Sequence, residues 1–234
     1  MKTILITGGS SGIGYELVKQ YLLAGWRVIN LDKHSPEEVI KGEYHFVHGD
    51  LNEIDRLESV FKTCKSHTKQ IDVLIHNAAF QCQDTFLSLD TEKLDEAYRV
   101  NIKAPLLLSQ WYAKQYLGRH GRIVHILSTR AYMSEKDTIQ YTMSKGAMQA
   151  LVHGLAVTLA DKSITVNGIA PGWIAHPHER VRDKDHQFHP SKRVGKAIDI
   201  AKACMYITDQ DNQFLNGETI VVDGGVTKKM MYPE

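Results

Sequence analysis

Three features that mark specialised classes of protein are scarce in this sequence: cysteine, net charge and long apolar runs. Only Cys64, Cys82 and Cys204 occur among 234 residues, and their scattered positions are typical of ordinary thiols in a reduced compartment rather than of a disulfide framework. The 28 basic and 27 acidic side chains are interspersed and leave a formal net charge of +1, which argues against a nucleic-acid or membrane partner. No apolar run suits a transmembrane helix or a signal peptide, so we expect a cytoplasmic protein.

What the sequence does contain is an alternation of short apolar runs, rich in β-branched residues, with longer segments of helical period. This pattern predicts an α/β fold in which a parallel sheet carries helices on both faces. With 43% hydrophobic residues the chain can bury one large core, so residues 1–234 are predicted to form a single domain. The predicted strands are Thr3–Thr7, Arg27–Leu31, Tyr44–His48, Val73–His76, Ile123–Leu127, Thr165–Ile169 and Glu218–Val222. The predicted helices are Gly12–Ala24, Glu53–Ser66, Thr91–Leu117, Thr138–Ala160 and Lys196–Ile207.

The turn between the first strand and the first helix is rich in glycine. Gly8 allows the positive φ of a tight turn, Gly12 lets a phosphate approach the backbone, and Gly14 lets the helix pack close to the strand. Unpaired N–H groups at the helix start, together with the helix dipole, would attract the phosphates of a dinucleotide. The loop residues expected to contact that cofactor are Gly8, Ser10, Ser11, Gly12, Ile13 and Gly14.

An acidic residue, Asp32, ends the second predicted strand, about 20 residues beyond the glycines. A carboxylate in this place accepts hydrogen bonds from the ribose hydroxyls and repels a 2′-phosphate. The sequence therefore favours NAD over NADP as the cofactor. Lys33 follows directly and would weaken that repulsion.

Polar and small residues also follow the other predicted strands. In open α/β sheets ligands bind outside the carboxyl ends of the strands, so these residues are expected to converge on one crevice. Taken singly, each is a common turn residue with a local role. They are Asp50 and Leu51, then Asn77, Ala78 and Ala79, then Ser128, and finally Pro171 and Gly172.

A tyrosine followed by a lysine four residues later occurs three times in the chain, so the spacing alone is weak evidence. Only the pair Tyr141 and Lys145 lies on a long predicted helix, where the two side chains share one face, and has a serine, Ser128, at a strand end upstream. The alternative is a buried tyrosine beside a lysine whose stem covers apolar surface. The joint spacing favours a catalytic group.

With these elements in order, the chain resembles the short-chain dehydrogenase/reductase family, whose fold is a Rossmann-type doubly wound sheet of about seven strands. The resemblance extends from Thr3 to Val226. Two departures stand out: Ala79 replaces a usual glycine, and His176 stands in a stretch where a threonine is often found. The matching elements are Thr7, Gly8, Gly12 and Gly14, then Asp50, Asn77 to Ala79, Asn101, Ser128, Tyr141, Lys145, Pro171, Gly172 and Asp223 to Gly225.

The resemblance implies roles for these residues. Asp50 would hold the adenine amino group, Asn77 would stabilise the central strand near the adenosine, and Pro171 with Gly172 would border the nicotinamide. Tyr141 would be the general acid or base, Ser128 would hydrogen-bond the substrate oxygen, and Lys145 would favour the phenolate and bind the nicotinamide ribose. The remaining residues expected along the cofactor are Leu51, Ala78, Ala79 and Ile174.

Asn101 gains support from Pro105, which cannot donate a helical hydrogen bond to the Asn101 carbonyl. The freed oxygen would hold a water that, by resemblance, connects Lys145 with solvent as a proton relay. A simple kink in a long helix is an equally good interpretation of the same residues.

The segment 172–193 is aperiodic and polar, and it is expected to be a substrate-binding flap. Its histidines have no cysteine partner and no helical spacing, so no metal site is expected, and His76 is interpreted as a packed core residue. The few large apolar residues of the flap favour a small polar substrate.

Two functions remain open at this stage. The favoured one is an NAD(H)-dependent oxidoreductase that interconverts a secondary alcohol and its ketone. The alternative is a sensor or scaffold that binds a dinucleotide without turnover. Small residues on the two long predicted helices, together with the habit of the family, predict a homodimer or homotetramer.

Overall fold

The computed structural model describes residues 1–82, 84–118 and 120–230. Within these residues one sheet of seven parallel strands is present, in the order β3-β2-β1-β4-β5-β6-β7. The strands are β1 (Thr3–Thr7), β2 (Arg27–Asp32), β3 (Tyr44–His48), β4 (Val73–His76), β5 (Gly121–Ile126), β6 (Ile164–Pro171) and β7 (Thr219–Val222). The helices are α1 (Gly12–Leu23), α2 (Ile54–Ser66), α3 (Thr91–Tyr98), α4 (Ala104–Gln115), α5 (Ile139–Thr158), α6 (Asp183–Phe188) and α7 (Ala197–Thr208).

Helices cover both faces of the sheet, because successive side chains of each strand point to opposite sides. On one face Ile4 and Val28 pack with residues of α1 and α7, such as Leu17. On the other face Leu5 and Ile29 pack with residues of α2 and α4. The predicted α/β architecture is therefore confirmed, and the parallel order places every strand's carboxyl end at the same edge.

The prediction of one continuous helix from Thr91 to Leu117 is wrong. A π-helical segment, Arg99–Lys103, separates α3 from α4, and the Ala104 N–H bonds the Arg99 carbonyl five residues back. Pro105, in the first turn of α4, lacks an N–H, so the ordinary ladder breaks at this point.

The expectation that segment 172–193 is irregular throughout is also wrong. It contains the short helix α6, which begins after a capping arrangement in which Arg182 and Asp185 bond each other. A parallel bridge between Ile174 and Gly195 ties the start of the segment to the residues that follow it. Within the described part of the chain, none of the helices is long and apolar enough to cross a membrane.

Candidate active site

The glycine loop after β1 has the tight geometry that its sequence predicts. Gly8 and Gly12 have positive φ values of 69° and 53°. A Cβ atom on Gly8 would lie 2.8 Å from the Ala78 Cα, and a Cβ on Gly14 would overlap the Gly8 carbonyl oxygen. A Cβ built on Gly12 would lie 3.8 Å from His176 Nδ1, an ordinary van der Waals distance, so the loop is packed less closely at Gly12 than at Gly8 or Gly14.

Short polar side chains from β2 hold this loop. Asn30 Oδ1 accepts a hydrogen bond from the Gly9 N–H at 2.8 Å, and Asp32 Oδ2 accepts one from the Ser10 N–H at 3.0 Å. The other Asp32 oxygen accepts the His34 N–H at 3.0 Å. The Ser10 hydroxyl donates to the His34 carbonyl, so it is directed towards the end of β2.

Asn77 joins the glycine loop to the end of β4. Its Nδ2 donates to the carbonyls of Thr7 and Gly8 at 3.2 and 2.8 Å, and its N–H donates to the Thr7 hydroxyl at 3.1 Å. The glycine loop is thus held by β2 on one side of β1 and by the end of β4 on the other side.

A cleft of about 370 Å³ opens beside this loop. Ten residues that the sequence predicts at the cofactor line it: Gly8, Ser11, Gly12, Ile13, Asp32, Asp50, Leu51, Asn77, Ala78 and Ala79. The prediction missed other lining residues, which include Lys33, His34, Phe80, Glu96 and His176. Lys33 and His34 directly follow Asp32 and were within reach of sequence reasoning, whereas Glu96 and His176 reach the cleft only through the tertiary fold.

Pro171, Gly172 and Ile174 lie at the end of β6, outside the residues that line this cleft. Gly172 packs against Asp223, with 2.7 Å between the position of an added Cβ and the Asp223 Cβ. Ile174 lines a second cavity, of about 250 Å³, together with Trp173.

Tyr141 and Lys145 lie one turn apart on α5, and Ser128 lies at the end of β5. Burial raises the pKa of Tyr141, while a hydrogen bond with Ser128 and the charge of Arg130 act in the opposite direction. Ser128 also accepts the Arg130 N–H at 3.2 Å, which fixes its own side chain. The structure therefore brings together the serine and the tyrosine that the sequence predicts.

Lys145 is only 1% exposed, although lysine is rarely buried without a charged partner. Its Nζ donates to the Ile126 carbonyl at 2.9 Å and lies 5.3 Å from the centre of the Tyr141 ring. Burial lowers the pKa of Lys145 to about 7. The ammonium group is therefore held near the tyrosine by a carbonyl of β5, and it titrates near neutral pH.

Asn101 lies in the π-helical segment, and its side chain is completely buried. Its Oδ1 accepts the Phe80 N–H at 2.7 Å, and its Nδ2 donates to the Phe80 carbonyl at 2.8 Å and to the Ser144 hydroxyl at 3.0 Å. The carboxamide is thus fully used in joining the end of β4 to α5. Any water relay at Asn101 would depend on its backbone carbonyl.

The interpretation of His76 as a packed core residue is confirmed. Its ring is buried, contacts Ser109 Oγ at 2.9 Å and stacks on His125 with 4.6 Å between ring centres. Burial lowers the pKa of both imidazoles. Cys64 and Cys204 are buried and Cys82 is half-buried, as expected of ordinary thiols.

The histidines of segment 172–193 point to different places. The His189 ring contacts the Asp185 carbonyl at 2.8 Å, His186 Nδ1 accepts the Val194 N–H at 3.2 Å, and His176 lies at the cleft. Among the residues described, no three His, Cys, Asp or Glu side chains gather as a metal site would require.

Comparison with known proteins adds to this geometry. A family model described as enoyl-(acyl carrier protein) reductase matches residues 8–227. An uncharacterised oxidoreductase of Thermotoga maritima is 32% identical over 252 residues, which cover 100% of this chain and 98% of that protein.

Two solved structures share the fold. An apo SCOR enzyme from Clostridium thermocellum is 34% identical with a TM-score of 0.89, over 99% of this chain and 95% of that one. A 4-hydroxyisoleucine dehydrogenase complexed with NADH is 26% identical with a TM-score of 0.91, over 98% of this chain and 100% of that one. The agreement in sequence and fold extends over nearly the whole length, and this chain therefore belongs to the short-chain dehydrogenase/reductase family of oxidoreductases.

Proposed function

We propose that this oxidoreductase uses NAD(H) to interconvert a secondary alcohol and its ketone. The observation that carries the proposal is the position of two groups at one edge of the sheet. The glycine-lined cleft lies at the ends of β1 to β4, and the Ser128, Tyr141 and Lys145 group lies at the end of β5 and on α5.

The lining of the cleft supports a dinucleotide as its ligand. Gly12 has no side chain at the start of α1, and the Ser11 side chain makes no capping hydrogen bond there, so backbone N–H groups and a hydroxyl can meet a diphosphate. Asp32 and Asp50 at the far side offer carboxylates to ribose and adenine. The NADH bound to 4-hydroxyisoleucine dehydrogenase supports a nicotinamide cofactor.

The preference for NAD rests on Asp32. Its carboxylate lines the cleft and would repel a 2′-phosphate, whereas Lys33 beside it acts in the opposite sense. Because one Asp32 oxygen accepts the Ser10 N–H of the glycine loop and the other accepts the His34 N–H just after β2, the carboxylate is held in place. We expect NADH to be used in preference to NADPH.

The proposed chemistry assigns proton transfer to Tyr141. Its hydroxyl would take the substrate's proton in oxidation and return it to the carbonyl oxygen in reduction, while Ser128 would hydrogen-bond the same oxygen. The bound nicotinamide would supply or accept the hydride. Lys145, when charged, would favour the phenolate electrostatically and bind the nicotinamide ribose. Asn101 would act as the predicted relay point through its backbone carbonyl.

The substrate is proposed to be small and polar, and segment 172–193 to be the flap that covers it. The segment has many charged residues, and its large apolar side chains Trp173 and Phe188 are partly exposed. A homodimer or homotetramer stays a prediction, which light scattering at micromolar concentration tests.

The experiment for the proposed function measures NADH and NADPH oxidation against small polar and larger apolar carbonyl compounds, with Tyr141→Phe as the control. We expect turnover with NADH that falls about a thousandfold in the variant, since positioned acid–base catalysis contributes on this order. NADH binding should be retained, because the change removes only one hydroxyl. Binding without turnover by the wild type across a broad panel would favour the sensor hypothesis instead.

A further inference from the structure

His176 lies at the cleft although it belongs to the segment that follows β6. Its Nδ1 and Cε1 atoms lie 3.8 and 3.9 Å from the position of a Cβ built on Gly12. Apart from Gly12 itself, its chain neighbours and the backbone of its own helix, those are the nearest atoms to that position, so the imidazole lies at van der Waals distance from this part of the loop. Gly12 itself is the second residue of the loop with positive φ.

The backbone around His176 is held on both sides. Its N–H donates to Glu179 Oε2 at 2.9 Å, and the same carboxylate accepts the Trp173 indole N–H at 3.2 Å. The preceding residue, Ala175, donates its N–H to the Gly195 carbonyl at 3.0 Å. Within the described part of the chain the imidazole itself has no hydrogen-bond partner, so it is available to a ligand in the cleft.

We propose that His176 binds the diphosphate of the dinucleotide from the side opposite to the start of α1, so that affinity for the cofactor rises as the pH falls. The inference rests on the proposed function, because it requires a dinucleotide in this cleft. The imidazole is at van der Waals distance from the position of a Gly12 Cβ, so a diphosphate against Gly12 would displace the ring, which would then contact the diphosphate from the side opposite to the start of α1. An imidazole gains a positive charge as the pH falls through the range around neutrality, and a charged donor binds an anion more strongly than a neutral one.

Other charged and titratable groups face the same space. Those that line the cleft are Asp32, Lys33, His34, Asp50 and Glu96, and Glu179 contacts the His176 backbone. Lys145 titrates in the same range of pH. A single substitution of His176 leaves all of these groups in place. We therefore compare the Kd of the variant with the Kd of the wild type at each pH, and the ratio of the two reports the change at His176.

The experiment measures the Kd of NADH by fluorescence titration between about pH 6 and about pH 8.5. His176→Gln keeps a hydrogen-bond donor and removes the charge. We expect its Kd ratio to be near one at the higher pH and about threefold to tenfold at the lower pH, as for a partly exposed charge contact. His178→Gln, two residues away and outside the cleft lining, is the matched control and should keep a ratio near one throughout.

Two further arms identify the contact. ADP-ribose, which has the diphosphate and lacks the nicotinamide, should show the same pH-dependent ratio as NADH. A ratio that changes for NADH but not for ADP-ribose would assign the imidazole to the nicotinamide end and overturn the proposal. The proposal would also be overturned if the Kd ratio of a His34→Gln variant changed with pH while that of His176→Gln did not.

These results separate the inference from the proposed function. If the wild type binds neither NADH nor ADP-ribose at any pH, the dinucleotide assignment itself fails. If both bind and the His176→Gln ratio is one at every pH, only the role of His176 is refuted.

Discussion

The cofactor cleft and segment 172–193 are built in different ways, although both lie at the carboxyl edge of the sheet. The cleft is held by short side chains, such as Asn30 and Asn77, that bond directly to backbone groups of the loop. The segment also contains charged side chains that pair with each other at the surface, such as Arg193 with Asp199. The glycine loop beside the cleft therefore leaves no room for added atoms at Gly8 and Gly14, whereas the exposed ion pairs of the segment can be exchanged at low cost.

The largest effect on stability and cofactor affinity is expected at Gly14, where the glycine loop is packed most closely. Gly14→Ala would place a methyl group on the Gly8 carbonyl, so the loop must move. We expect a loss of about 3 kcal/mol in the free energy of unfolding, and a loss of NADH affinity of about a hundredfold or more. Urea unfolding and NADH titration measure the two effects.

Gly154→Ala is the matched control for that change. Gly154 lies inside α5, and apart from its chain neighbours and the backbone of its own helix no described atom lies within 4 Å of an added Cβ. Since alanine favours a helix more than glycine does, the variant should be about 0.5–1 kcal/mol more stable than the wild type. An equal loss of stability in both variants would contradict the claim that close packing at the loop is the cause.

The next effect concerns Lys145. This residue lies on α5, outside both the glycine loop and segment 172–193. Burial lowers its pKa to about 7 in the folded protein, so above that pH the unfolded chain, with its ordinary lysine, binds more protons. Stability should therefore rise from about pH 7 towards pH 10, by at most about 1.4 kcal/mol per pH unit from this group.

Lys145→Met tests this sign by urea unfolding of the cofactor-free protein. The variant removes the buried charge, so its stability should exceed that of the wild type most at low pH and approach it as the pH rises. A constant difference across the range would show that the lysine does not titrate in the folded protein.

A smaller effect is expected at Asp32. Asp32→Asn keeps an oxygen that can accept the Ser10 N–H and removes the negative charge from the cleft. The ratio of kcat/KM for NADPH to that for NADH should rise about tenfold, since the 2′-phosphate is no longer repelled. An unchanged ratio would indicate that another group, with Lys33 the first candidate, sets the preference.

The smallest effect is expected in segment 172–193. Arg193→Ala removes an exposed ion pair with Asp199, and such pairs contribute little because water and salt screen them. NADH affinity should stay within about twofold of the wild type. A large loss of affinity would mean that the segment supports the cleft more directly than its contacts indicate.

The same contrast explains how much the sequence alone predicts. The glycine loop is readable because Gly8 and Gly14 meet constraints of backbone shape, which few residue types satisfy. The strands are readable from β-branched runs, and all seven lie where the pattern predicts them, with small shifts at their ends.

Other features depend on contacts between residues far apart in the chain. The position of His176 at Gly12 requires the segment after β6 to return across the sheet edge, and no local pattern contains that path. The π-helical segment is similar, because Pro105 predicts a break in the ladder without fixing its form. The partner of Lys145, the Ile126 carbonyl, also appears only once α5 is packed on β5.

The Asn101 carboxamide has a consequence for how the protein becomes active during folding. It joins Phe80, 21 residues earlier, to Ser144, 43 residues later and next to Lys145. Contacts that close such long loops lose chain entropy before they gain energy, so they form when the sheet is largely assembled. Residues as far along the chain as Ser144 must therefore be made before the Asn101 carboxamide can join α5 to the residues after β4, and activity would appear only when the last of these three segments docks.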